Sequence, residues 1–227
     1  MKMINKNTLK FLSDLKSNNS REWLEENKTR YVSAKSNLQD LAENLIDEIA
    51  QFDFHIARAD LVASKCLTRI NRDLRFAKDR TPYKTDFYIV LNKDGKNSVS
   101  AFYYLHIEPK NCFVGGGVYN PLPQQLTDIR REIESSFDEW QKIISADSFV
   151  QTFPSGINDS GRLKKVPRLF DSESPAAEFL KMKGFYTMQA ISDKEITLPA
   201  TFDKVIGGFK TAKPLVDFLN RAIHDDK

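Results

Sequence analysis

Cysteine is almost missing from this chain. Cys66 and Cys112 are its only two in 227 residues. Two thiols make no disulfide framework and have no metal-ligand spacing, so a reducing, cytoplasmic setting is expected. Histidine is as scarce: His55, His106 and His224 are the whole supply. With no His-Glu-x-x-His and no paired cysteines, the expected metal is none, and no cofactor is expected either. No run approaches the roughly 20 apolar residues that span a bilayer, which argues against a membrane partner. The opening residues mix Met and Ile with Lys and Asn, so no signal-peptide core is read there. There is no Gly-Lys-Ser/Thr and no Gly-x-Ser-x-Gly. No internal repeat or low-complexity tract interrupts the chain. No motif names a reaction.

What remains is a balance of 41% hydrophobic and 29% charged residues, ordinary for a soluble globular protein. The length suits a single domain, 1–227, with a real core. The first third reads as helix. Leu9, Leu12 and Leu15 form a short stripe, Asn19 with Glu22 resembles a capping box, and Leu38, Leu41, Leu45, Ile46 and Ile49 line a longer helix. The middle reads as strands: 66–70, 87–91, 100–108 and 112–119, joined by connections short enough to imply antiparallel pairing. On 100–108, Phe102, Tyr104, His106 and Glu108 share one face, with Tyr103, Leu105 and Ile107 on the other.

The remainder reads as helix again. Leu126, Ile129, Ile133, Phe137, Trp140 and Ile144 step by three or four as one helix. A loop at 155–168, a short helix at 175–183 and a strand at 185–191 follow. The last helix spans 201–224, with a kink or break at Gly207-Gly208 or Pro214. Helix, sheet, then helix is α+β order: an antiparallel sheet of about three to five strands, its central ones at about 86–119, flanked by N-terminal and C-terminal helices.

One segment concentrates charge. Between Arg69 and Lys84 stand six basic residues, Arg69, Arg72, Arg75, Lys78, Arg80 and Lys84, against Asp73 and Asp79. That local excess of four exceeds the +3 of the whole chain, which leaves the remainder slightly negative. Arginine forks fit phosphate or carboxylate at two points. Arg69, Arg72, Arg75 and Lys78 recur every third residue, so at least two cations can converge on a helix or a strand. An anion clamp is one reading. An internal ion-pair network with Asp73 and Asp79 is the other. A pI near 8.7 permits nucleic acid without arguing for it. A second basic cluster, Arg162, Lys164, Lys165 and Arg168, falls in the loop.

Gly115, Gly116 and Gly117 sit between a strand and a helix, as in a phosphate loop, but the third glycine of a dinucleotide pattern is replaced by Asn120. Strand glycines covered by an aromatic ring explain them better, with close approach to a ligand as the alternative. His106, beside Tyr104 and Glu108, is the residue best suited to acid–base chemistry near neutral pH if the site is catalytic.

Several stretches together resemble a known family. They are Phe11-Leu12, Asn18-Asn19-Ser20-Arg21-Glu22-Trp23 and Tyr31; the whole of Arg69 to Lys84; Tyr104 to Pro109; Gly115 to Pro121; Leu163 to Asp171; and Pro214 to Arg221. The chain resembles the bacterial and fungal family called domain of unknown function 2461. It departs at Leu24, where an aromatic is common, and at Ala77, where serine is usual. The resemblance implies one single-domain unit, and it brings no reaction and no catalytic residue.

The first functional expectation is a pocket for a phosphorylated or carboxylated small molecule, built from Arg69, Arg72, Arg75, Lys78 and Lys84. Tyr83, Tyr104, Gly115, Gly116 and Gly117 are its neighbours and His106 its acid–base candidate. The second is a nucleic-acid binder in which Phe76 and Tyr83 stack on bases. The third is a structural ion-pair hub with no ligand. The sequence gives no oligomeric state.

Overall fold

The computed structural model describes residues 3–75 and 77–224. Its elements in chain order begin with α1 (Lys6–Ser17), α2 (Arg21–Glu26), α3 (Lys28–Ala50), α4 (Phe54–Ala57) and α5 (Ala63–Cys66). Then come β1 (Phe87–Leu91), β2 (Phe102–Ile107) and β3 (Cys112–Val118), followed by α6 (Pro123–Ser135), α7 (Phe137–Ile144), α8 (Asp147–Thr152) and α9 (Ala177–Leu180). β4 (Phe185–Ile191), a 3-10 turn at Glu195–Thr197 and α10 (Thr201–His224) complete the chain. The four strands form one antiparallel sheet in the order β1-β2-β3-β4. This is the α+β architecture read from the sequence. Among the described residues, no helix is long and apolar enough to cross a membrane.

The residues fall into two compact units. One comprises Met1–Lys96, Tyr104–Val114 and Ala190–Gly207; the other comprises Asn97–Tyr103, Gly115–Gln189 and Gly208–Lys227.

In the first unit, α1 packs on α3. Leu9, Phe11, Leu12 and Leu15 of α1 are buried, as are Leu38, Leu41, Leu45 and Ile49 of α3. Each such side chain contributes about 1.5–3 kcal/mol when fully buried. Asn37 locks the pair by accepting from the Asn5 N–H at 2.7 Å and the Thr8 hydroxyl at 2.9 Å. The cap of α2 is Ser20, whose Oγ accepts from the Trp23 N–H at 3.2 Å, and not Asn19. Residues 66–70 form no strand of the sheet. Cys66 ends α5, and Leu67 makes a single bridge to Ile89.

In the second unit, the stripe from Leu126 to Ile144 is two helices rather than one. They part at Ser136. Both serines there prefer local partners: Ser135 Oγ donates to the Glu132 carbonyl at 3.3 Å, and Ser136 Oγ to the Glu132 carboxylate at 3.3 Å. The apolar periodicity survives the break because Ile129, Ile133 and Trp140 are all fully buried. Arg221 clamps both sides of it, donating to Glu132 at 2.8 Å and Glu139 at 2.6 Å.

The expected helix at 175–183 shrinks to four residues, because 181–183 pairs instead with 161–163. The Leu163 N–H donates to the Lys181 carbonyl and the Lys183 N–H to the Gly161 carbonyl. α10 is uninterrupted, and Pro214 stands inside it. Proline removes one i→i−4 bond. Leu215, Val216, Phe218 and Leu219, all nearly or fully buried, hold the turn that follows.

The glycines of β3 are there for room. A Cβ on Gly116 would meet the Ala212 and Val216 side chains at 3.0 and 3.1 Å. One on Gly117, whose φ is +127°, would stand 2.2 Å from the Phe185 carbonyl oxygen. Gly207, in α10, faces open space. Gly117→Ala should therefore cost about 3 kcal/mol or more, since backbone strain and a backbone clash combine. Gly207→Ala should stabilise by about 0.8 kcal/mol through helix propensity. Urea denaturation of the two variants measures both signs.

Candidate anion site

The basic segment is an excursion on a short antiparallel neck. The Thr68 N–H donates to the Tyr88 carbonyl at 3.0 Å, the Lys84 N–H to Ile70 at 2.7 Å, and the Arg72 N–H to Pro82 at 3.0 Å. Asn71 bridges Tyr83. Leu67, Ile70, Phe87 and Ile89 turn inward and anchor this neck to the core. Residues 73–81 form the tip, and Phe76 lies outside the described residues. Asn19 fixes the return strand from the side. Its amide donates to the Tyr83 carbonyl at 2.9 Å and accepts from the Tyr83 N–H at 3.0 Å.

Two of the arginines are held by acids of the segment itself. Arg72 Nη1 donates to the Asp79 carboxylate and the Thr81 hydroxyl, and also to the Thr81 carbonyl at 3.3 Å. Arg75 grips Asp73 side-on, Nε to Oδ1 at 3.0 Å and Nη2 to Oδ2 at 2.6 Å. Arg80 donates to the Leu74 carbonyl at 3.2 Å. The Thr81 N–H, then Arg72 and the Thr81 hydroxyl, hold the Asp79 carboxyl down at about 2. The Arg75 side chain, then its backbone N–H, lowers Asp73 below the usual carboxylate range.

The other cations behave differently. Among the described residues, Arg69, Lys78 and Lys84 make no ion pair and no side-chain hydrogen bond. All three are exposed. The neck places Lys84 beside Ile70, next to Arg69. Lys96 comes in from the turn that follows β1 and donates to the Leu67 carbonyl. Burial lowers its pKa most; Arg69 and Lys35 push the same way, while Cys66 opposes them. Lys96 thus stands between two like charges, Arg69 and Lys35.

His106 occupies a different setting. Its side chain is 5% exposed, with Tyr88 at 4.2 Å and Phe113 at 4.4 Å between ring centroids. Nδ1 donates to the Asn111 carbonyl at 2.9 Å, which fixes the tautomer. Nε2 then faces Asp86 Oδ2 at 3.6 Å, an ion pair only when the ring carries both protons. Glu108 is turned away, toward Lys16 at 3.4 Å and Asn111 at 2.9 Å. Tyr104 is buried in the same aromatic group, 5.9 Å from Phe113 and 6.3 Å from Tyr88. Tyr83 is half-buried at the neck. Gly115, Gly116 and Gly117 belong to the second unit.

Sequence reasoning assigned Asn19 to a helix cap and not to the neck, and it did not find Asp86 or Lys96. Asn19 lies 64 residues from Tyr83, and no spacing reveals such a pair. Asp86 could have been found by pairing β1 against β2 in register. Among the described residues, no group of three or more His, Cys, Asp or Glu could hold a metal ion.

A family model described as conserved hypothetical protein, DUF2461, matches residues 7–218, and the chain belongs to that family. No curated protein and no solved structure matches it.

Two outcomes follow from this geometry. Asn19→Ala removes both bonds to Tyr83 and should cost about 1–3 kcal/mol of stability, read from urea denaturation. Asp79 has a folded pKa of about 2, below its ordinary 3.8. Its contribution to stability is therefore complete above about pH 4 and lost as pH falls toward 2. A carboxyl NMR titration of Asp79 should find it still charged at pH 3.

Proposed function

We propose that the chain binds an anionic small molecule, phosphorylated or carboxylated, through the cations of the 69–84 segment that no acid holds. The observation that carries the reading is the division of labour within that segment. Arg72 and Arg75 are paired with Asp79 and Asp73. Arg69, Lys78 and Lys84 are left with charge to offer, and Arg69 has Lys96 for a neighbour. Like charges gathered without a counter-charge favour an added anion. The structural-hub reading has its own support in the bonds of Arg72, and the two readings coexist: Arg72 and Arg75 shape the loop and the remaining cations meet the ligand. His106 is the acid–base candidate of a catalytic version. It acts through Nε2, which faces the Asp86 carboxylate.

Isothermal titration of the whole chain with inorganic phosphate tests this. Saturable binding is expected, and Arg69→Ala should weaken it by about tenfold or more, since a charge-assisted bond contributes about 1.5–3 kcal/mol. Arg72→Ala should lower the melting temperature instead. If phosphate does not bind the wild type while Arg72→Ala melts several degrees earlier, the hub alone stands. Binding of a single-stranded oligonucleotide, with affinity falling with salt by about −0.7 per contacted phosphate, would replace the small molecule with a nucleic acid. We also propose that the 227 residues act as a single domain. One unfolding transition seen identically by tryptophan fluorescence and circular dichroism supports it, and two separate transitions would reject it.

A further inference from the structure

Arg130, on α6, carries a charge that none of its neighbours cancels. The residue is 6% exposed. Its Nη2 donates to the Met182 carbonyl at 2.8 Å, and its buried Nε donates to nothing. The acids of its own helix are committed elsewhere. Asp128 holds Arg131 at 3.1 Å, Glu132 holds Arg221 at 2.8 Å, and Glu134 accepts from the Asp171 N–H at 3.2 Å. So are the acids of the segments around Met182. Glu178 takes Lys181 and Arg162, and Asp159 takes Arg162 at 3.0 Å.

A need for one donor to Met182 does not account for an arginine. A neutral amide could make that bond, whereas a guanidinium brings a charge out of water and must be matched. Burial lowers its pKa, the sign of a cation without enough company. A second buried donor stands against the same turn. The Trp140 indole N–H also has no acceptor. Its ring lies 5.4 Å from Phe179, whose carbonyl accepts from the Met182 N–H at 3.0 Å. Next along the chain is Lys183, exposed and without an acid partner among the described residues.

Elsewhere in this protein the Nε–Nη2 edge of arginine grips carboxylates: Arg75 on Asp73, and Arg221 on Glu132. Arg130 has the same edge, with only Nη2 engaged, and by a neutral carbonyl. We propose that Arg130 anchors a second oxyanion site, in which a phosphate or carboxylate group sits on its Nε–Nη2 edge. This site lies in the second unit and does not rest on the reading of residues 69–84.

Crystals of the whole chain soaked in selenate test it directly. An anomalous peak is expected within hydrogen-bonding distance of the Arg130 guanidinium. Titration with inorganic phosphate and, separately, with acetate should show which oxyanion is preferred. In an Arg69→Ala background, which silences the first site, Arg130→Met keeps the length without the charge and should abolish the peak and weaken the remaining phosphate binding at least about tenfold. Arg130→Lys keeps the charge without the fork and should bind several-fold less tightly, which serves if the methionine variant does not fold. A water alone on Nε, an adventitious ion only with no saturable binding, or a peak that survives Arg130→Met would overturn the proposal.

Discussion

The candidate site depends on the two hydrogen bonds between the Asn19 side chain and the backbone of Tyr83. A primary amide presents one donor and one acceptor in a plane, which is what an extended residue needs when no strand pairs with it. Asn19 thus does for Tyr83 what a neighbouring strand would do, and it fixes one arm of the neck that carries the basic tip. The consequence runs outward from there. With Tyr83 placed, Arg72 and Pro82 close the neck, Thr81 and Asp79 come within reach of Arg72, and Lys84 is set beside Arg69. The link also joins two distant stretches that carry the family resemblance, one around Asn19 and one from Arg69 to Lys84.

Electrostatics then sorts residues that are chemically alike. The arginines of the segment look interchangeable by composition, but aspartates two and seven residues away satisfy Arg75 and Arg72 respectively. Exposed pairs of this kind add little stability. Their effect is on geometry: they keep the tip in one shape and leave the unpaired cations in known positions. Arg130 is the opposite case, a cation kept from water and given only a carbonyl.

Much of the fold was legible because its signals are local. The strand at 185–191 and the last helix at 201–224 follow from periodicity, and their limits agree with the structure. The alternation of 100–108 sets His106 and Tyr104 with Tyr88 and Phe113, and turns Tyr103 to Phe209. Misreadings arose where side chains outvoted periodicity. Serine chemistry at Ser135 and Ser136 cut one stripe into two helices. Pairing with 161–163 claimed residues that would have extended α9. The packing of Leu215 to Leu219 carried α10 past Pro214. For the site, sequence identified the concentration of charge but not its allocation, since the sharing of Asp73 and Asp79 depends on how the loop closes. Arg130 gave no signal, because an arginine next to Arg131 on an amphipathic helix reads as surface.

The break at Ser136 has a bearing on the order in which the protein is made. Arg221, which grips Glu132 and Glu139 on either side of that break, follows Glu139 by 82 residues. A chain emerging from the ribosome therefore offers the stretch from α6 to α7 before its clamp exists. The break itself needs only the local bonds of Ser135 and Ser136, so what the C-terminal helix adds on arrival is the pair of charge-assisted grips across it.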